Sequence, residues 1–266
     1  MKYLYITLSS LIIAYLVMII FIYFYQRNLL YHPSENNYQN DKIQFNYDEI
    51  YIKVDEEIQL KSWIVKKDFK KFKTLVIFHG NAGHLSNRIY KLNELYKLDI
   101  NILLISWRGF SGNKGSPTEK NLYIDARAAI KWLNEEGVSN NQIILYGESL
   151  GSGVAVEVGK ANNFNSIILE SPFTSIENSA KIYYPYLPVR LLLKDRYDSI
   201  SKIKMINTPI LIMHGEKDDV VPFSMGKELF EKANSPKQSY FTPDDDHMME
   251  FNSSLLEKVK DFIEKY

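Results

Sequence analysis

The stretch Gln142-Ile143-Ile144-Leu145-Tyr146-Gly147-Glu148-Ser149-Leu150-Gly151 decides how the rest of the chain is read. Its first four residues form an apolar run that reads as a buried strand. Ser152-Gly153-Val154-Ala155-Val156-Glu157-Val158 follows and can start a helix. G-x-S-x-G between a strand and a helix is the signature of a nucleophile elbow. Such a turn is tight, so the positions two before and two after the serine must be small, and Gly147 and Gly151 meet that demand. The helix that follows directs its amide N–H groups, the positive end of its dipole, at the serine. The same glycines do not make a dinucleotide loop. Val156 stands where the last glycine of G-x-G-x-x-G would be required.

Working outward, the soluble part alternates strand-like and helix-like segments. Glu49 to Val54 and Ile58 to Val65 alternate with a period of two, which suits an antiparallel pair. Short, continuously apolar runs follow at Thr74 to Phe78, Asn101 to Ser106, Gln142 to Tyr146, Ser166 to Leu169, Pro209 to Met213 and Gln238 to Phe241. Buried parallel strands have this character. Thr118 to Glu136 lies between two of them and repeats Leu122, Ala126, Ala129, Ile130 and Leu133 at helical spacing. The expected fold class is α/β: a mostly parallel central sheet with helices on both faces and right-handed crossovers. In such sheets reacting groups gather at the carboxyl ends of the strands.

A serine hydroxyl needs a base to take its proton, and the base needs a carboxylate to orient it. Where an elbow carries the serine, the acid and the histidine come later in the chain, in that order. Only His214 and His247 follow Ser149. His247 lies after the last expected strand, before the helix expected at Leu255 to Tyr266, and is the candidate base. His214 ends the preceding strand and reads as structural. Asp218 in His214-Gly215-Glu216-Lys217-Asp218-Asp219-Val220-Val221-Pro222 is the first candidate acid, with Asp219 and then Glu170 as alternatives. The oxyanion requires a pair of donors. Leu150 N–H, directly after the nucleophile, is one. The loop His79-Gly80-Asn81-Ala82-Gly83-His84 supplies the other, Asn81 N–H first and Ala82 as the fallback. The spacing of His79 and His84 fits no helical ligand pair, and no third ligand is near them in sequence, so metal is not expected.

Taken together these residues resemble the α/β-hydrolase superfamily, in particular its membrane-anchored serine hydrolases related to serine aminopeptidases and eukaryotic protein depalmitoylases. The resemblance rests on His79-Gly80-Asn81-Ala82-Gly83, Trp107-Arg108-Gly109-Phe110-Ser111-Gly112, Gly147-Glu148-Ser149-Leu150-Gly151, Ser171-Pro172-Phe173-Thr174-Ser175 and the His214 to Pro222 segment, in that order along the chain. It implies an α/β-hydrolase fold with Ser149, Asp218 and His247 as the triad and Arg108 as a structural residue. It also places a short cap insertion at about 172–204. Tyr183-Tyr184-Pro185-Tyr186-Leu187 and the aliphatic run after it would make that cap either an acyl pocket or a helix packed on the sheet.

The first residues are a separate object. Tyr3 to Tyr25 contains no charge and is rich in Ile, Leu, Tyr and Val. At about 1.5 Å per residue it is long enough for a hydrocarbon core of about 30 Å. No small-residue cleavage pair precedes Gln26-Arg27, so an uncleaved anchor is expected rather than a signal peptide. Lys2 on one side and Arg27 and Lys42 on the other leave its orientation open. The expected organisation is an anchor over 1–27, a polar tether over 28–47 and a hydrolase domain over 48–266. Lys plus Arg equals Asp plus Glu at 32 each, which provides no basic field for nucleic acid. The absence of cysteine excludes a thiol nucleophile and thiolate metal sites. The expected activity is hydrolysis of carboxylic esters or thioesters through an acyl-enzyme, without a cofactor, on a small-molecule, lipid-like or acyl-protein substrate. Amide hydrolysis by the same residues and a non-catalytic scaffold are the rival readings.

Overall fold

The protein is described here by a computed structural model covering residues 1–34, 43–160 and 163–266. The chain opens with helix α1, Lys2–Leu30, then a two-residue strand β1, His32–Pro33. The sheet strands and helices follow in order: β2 Asp48–Lys53, β3 Gln59–Val65, β4 Thr74–Phe78, the two-residue β5 Ala82–Gly83, α2 Ile89–Leu95, β6 Asn101–Ile105 and α3 Glu119–Glu135. Then come β7 Ile143–Glu148, α4 Leu150–Gly159, β8 Ser166–Glu170, α5 Ile176–Tyr183, α6 Val189–Leu192 and α7 Ser199–Lys202. The last elements are β9 Ile210–Gly215, α8 Phe223–Lys232, β10 Lys237–Thr242 and α9 Ser253–Lys265.

Eight strands form one sheet in the order β10-β9-β8-β7-β4-β6-β3-β2. β2 pairs with β3, and β3 with β6, antiparallel; every other pairing in the sheet is parallel. This is an α/β-hydrolase fold. Burial on both faces explains why the inner parallel strands β4, β6, β7, β8 and β9 are mainly apolar. Strand β10, expected as a continuously apolar run, is instead the edge strand Lys237-Gln238-Ser239-Tyr240-Phe241-Thr242 and is only half-buried. Val76 and Phe78 of β4 face one core with α3 and α4, while Leu75 and Ile77 face the other with α2 and α9. Helix α9 shows the helical counterpart: Leu255, Val259, Phe262 and Ile263 make one buried stripe. Each such side chain contributes about 1.5–3 kcal/mol by leaving water.

Register sets which loops meet. Phe78 pairs with Gly147, so the loops after β4 and β7 leave the sheet side by side. Gly215 pairs with Thr242, and the loops after β9 and β10 do the same.

Helix α1 has 29 residues, roughly 43 Å of helix. It is long and apolar enough to cross a membrane. Only Gln26 within it is buried. The segment expected as a tether is partly built into the domain. α1 runs on through Leu30, and His32–Pro33 pairs in parallel with Ala82–Gly83. The tether residues 35–42, Lys42 included, lie outside the described residues.

Candidate active site

Ser149 occupies the turn between β7 and α4 with φ 49° and ψ −115°. A side chain rarely adopts that backbone, and the surroundings over-determine it. Ser149 N–H donates to the Glu170 carbonyl at 2.9 Å. A Cβ on Gly151 would sit 1.8 Å from the Phe78 carbonyl oxygen, and one on Gly147 would sit 2.5 Å from the Ser152 Cα. The demand for small residues on either side of the serine is therefore literal. The hydroxyl stands at the carboxyl edge of the sheet.

The structure brings Ser149, His247 and Asp218 together. Ser149 Oγ lies 3.0 Å from His247 Nε2. His247 Nδ1 lies 2.8 Å from Asp218 Oδ2. The two loops that carry the imidazole and the carboxylate are bonded to each other. Glu216 N–H donates to the Thr242 carbonyl and Lys217 N–H to the Asp245 carbonyl. Gly215 is required at the crossing, since a Cβ there would sit 2.2 Å from the Asp245 carbonyl oxygen.

Asp218 is buried and fully occupied. Its Oδ1 accepts from the Val220 and Val221 N–H groups at 2.9 and 2.7 Å. Its Oδ2 accepts from His247 and, at 3.0 Å, from His214 Nε2. Burial alone would raise its pKa. The hydrogen bonds from His214 and His247 outweigh that and hold the carboxyl far below the usual range. For His247 the balance runs the other way. Burial disfavours the imidazolium, but the bond to the Asp218 carboxylate prevails and its pKa is raised above 6.5. His214 is the structural histidine expected at the end of β9. Its Nε2 also reaches the Val221 carbonyl at 3.0 Å.

The other candidates lie elsewhere. Asp219 is exposed. Glu170 is buried and binds Lys91 and the Tyr146 hydroxyl rather than either histidine. The aspartates before His247 hold its loop. Asp244 pairs with Lys217, Asp245 accepts from the Thr242 hydroxyl, and Asp246 accepts from Met248 N–H. His79 is buried beside Trp107 and its pKa is pushed down to about 3, chiefly by burial. His84 Nδ1 meets the Ser86 hydroxyl. No cluster of three metal-ligating side chains exists among the described residues. Arg108 is bound to buried Asp125, as a structural residue would be.

The loop after β4 is tied on both sides. Gly80 is close enough that a Cβ on it would lie 3.6 Å from Ser149 Cβ. The Asn81 side-chain amide donates to the Leu30 carbonyl at 2.7 Å, and the Asn81 carbonyl accepts from His32 N–H at 2.8 Å. These bonds fix Asn81 within the loop after β4, which the register of Phe78 with Gly147 sets beside the elbow. Leu150 opens α4, and the first amides of a helix have no partner within it.

Behind the elbow lies a buried ionic network that the sequence reading missed. Glu148 binds Arg88 at 2.6 Å and Lys91 at 2.7 Å, and Lys91 also binds Glu170. Burial would raise the Glu148 pKa, but the Arg88 and Lys91 cations hold it well below the usual range. Gly80 N–H donates to the same Glu148 carboxylate at 3.2 Å, so the network also fixes the loop after β4. A signal was present. Lys91 and Leu95 are four apart, which puts a lysine on the apolar stripe of α2.

The profile of the prolyl oligopeptidase family matches residues 113–266. An uncharacterized protein of Mycobacterium tuberculosis is 33% identical over 228 residues, 85% of this chain and 81% of that one. Human alpha/beta hydrolase domain-containing protein 17B is 32% identical over 197 residues, 71% of this chain and 66% of its own. Among solved structures, an esterase of Pyrococcus furiosus superposes with a TM-score of 0.71 at 19% identity, covering 89% of this chain and 97% of the esterase.

Proposed function

The chain belongs to the prolyl oligopeptidase family of α/β-hydrolases, and we propose that it is a serine hydrolase of carboxylic esters or thioesters. The observation that carries this reading is the continuous line from Ser149 Oγ through both ring nitrogens of His247 to Asp218, with spacings of 3.0 and 2.8 Å. As Ser149 Oγ attacks the acyl carbonyl, His247 Nε2 takes its proton. Asp218 keeps Nδ1 protonated and stabilises the imidazolium that forms. The Leu150 and Asn81 amides receive the oxyanion. His247 then protonates the leaving group, and water, activated by the same imidazole, releases the acid from Ser149. Helix α1 holds the domain at a membrane.

A fluorophosphonate probe tests the catalytic reading. Wild type should label and Ser149→Ala should not; labelling that survives the substitution ends the proposal. The family's peptidase name favours one competing reading, amide cleavage by the same residues. A short-chain nitrophenyl ester set against an aminoacyl anilide decides between them.

A further inference from the structure

Helix α1 does not stand clear of the hydrolase domain. The Gln26 side-chain amide donates to the Leu192 carbonyl and accepts from Lys194 N–H. The Arg27 guanidinium grips the Asp195 carboxylate with two bonds, at 2.8 and 3.1 Å. The Lys194 ammonium lies 4.2 Å from the Tyr23 ring centroid. Tyr31 and Tyr197 join hydroxyl to hydroxyl at 2.9 Å. Further up, the Tyr15 hydroxyl donates to the Tyr186 carbonyl at 2.7 Å. Tyr15 lies roughly 16 Å along the helix from Gln26. The tip of the cap therefore rests beside the middle of the apolar stretch. The outer side chains there, Ile182, Tyr184, Tyr186 and Leu191, are exposed, Leu191 to 82%. A cap facing only water would leave that apolar area uncovered.

Between α1 and the cap is a cavity of about 230 Å³, walled by Ile22, Leu29 and Leu30 on one side and Ala180, Tyr184 and Leu187 on the other. Gln26 also lines it, with both ends of its amide already bonded. Leu30 links the cavity to the chemistry, because its carbonyl accepts from the Asn81 side chain in the loop beside Ser149. The lining is mostly apolar, with the Tyr184 and Tyr186 side chains among its walls. A peptide would leave most of its N–H and C=O groups without partners there, whereas a hydrocarbon chain brings none.

We propose that this groove is a subsite for one long acyl chain entering sideways from the bilayer, with the anchor helix as one wall and the cap as the other. The subsite rests on the serine hydrolase reading and names its substrate class. The test uses the full-length protein in lipid nanodiscs, with nitrophenyl butyrate and nitrophenyl laurate as probes. Leu29→Trp fills the groove from the helix and Leu187→Trp from the cap. Each should lower the laurate-to-butyrate ratio of kcat/KM about tenfold or more, the loss expected when a few methylenes can no longer be buried. An unchanged ratio in both variants, or no preference for laurate in wild type, overturns the subsite. Butyrate turnover that persists in Ser149→Ala instead overturns the hydrolase reading, so the two failures are separable. A long-chain phospholipid and a long-chain acyl-thioester peptide, assayed with the same proteins, identify the source of the chain by which one shows the same groove dependence. If neither shows it, the proposal falls.

Discussion

At the level of single residues, the candidate site is governed by how many donors converge on Asp218. Because that carboxylate raises the His247 pKa above 6.5, the acid limb of kcat/KM should have its midpoint above pH 6.5. Activity should rise as the pH climbs through it, since only the neutral ring can take the serine proton. Asp218→Asn should cost about three to four orders of magnitude in kcat while leaving the melting curve cooperative. Near-full activity in that variant would hand the role to another carboxylate. His214 makes a less obvious prediction. It packs so closely on α8 that a Cβ on Gly226 would sit 2.2 Å from its Nδ1. Gly226→Ala should push the ring off Asp218 and lower kcat/KM by roughly tenfold, the worth of one charge-assisted hydrogen bond. A variant with wild-type kinetics would show that His214 contributes packing alone. The sequence shows where Asp218 and His247 belong, because strand order and loop position limit the choices to a few residues. It does not show that His214 supports the acid, since a second donor to a carboxylate leaves no periodic or motif trace.

Among the elements, the elbow and the loop after β4 are held by the same buried charges. Lys91→Met would leave Glu148 and Glu170 without their shared cation. The expected loss is about 3–5 kcal/mol of stability, seen as a melting temperature lower by roughly 2–4 °C for each kcal/mol. An unchanged melting temperature would mean that the network is neutral in place. The inner strands were readable because a strand buried on both faces carries a nearly unbroken apolar run, as in Leu75-Val76-Ile77-Phe78 and Ile210-Leu211-Ile212-Met213. The outer pair β2 and β3 was readable for the opposite reason, its alternation. The pairing of His32–Pro33 with Ala82–Gly83 was not. Two residues carry no period, and the partners lie 50 positions apart. Helices α5 to α7 occupy the segment expected as a cap, but the attachment of that segment to α1 depends on contacts such as Arg27 with Asp195 that only the assembled chain creates.

For the molecule as a whole, a helix apolar enough to span a bilayer is continuous with an α/β-hydrolase domain. The full chain should stay with the membrane fraction after an alkaline carbonate wash and leave it only with detergent; release by carbonate alone would rule out a spanning helix. Tyr31 is the sole residue between the end of α1 at Leu30 and the strand at His32 that pairs with Ala82 in the loop after β4. Such a short link leaves the reaction centre no freedom to swing out into the surrounding fluid. In the membrane-anchored enzyme proposed above, the height of that centre over the lipid is therefore set once, by the insertion of α1. Turnover should then follow the mole fraction of substrate within the lipid plane, and diluting that plane with inert lipid should slow the enzyme even when the bulk amount of substrate is held constant.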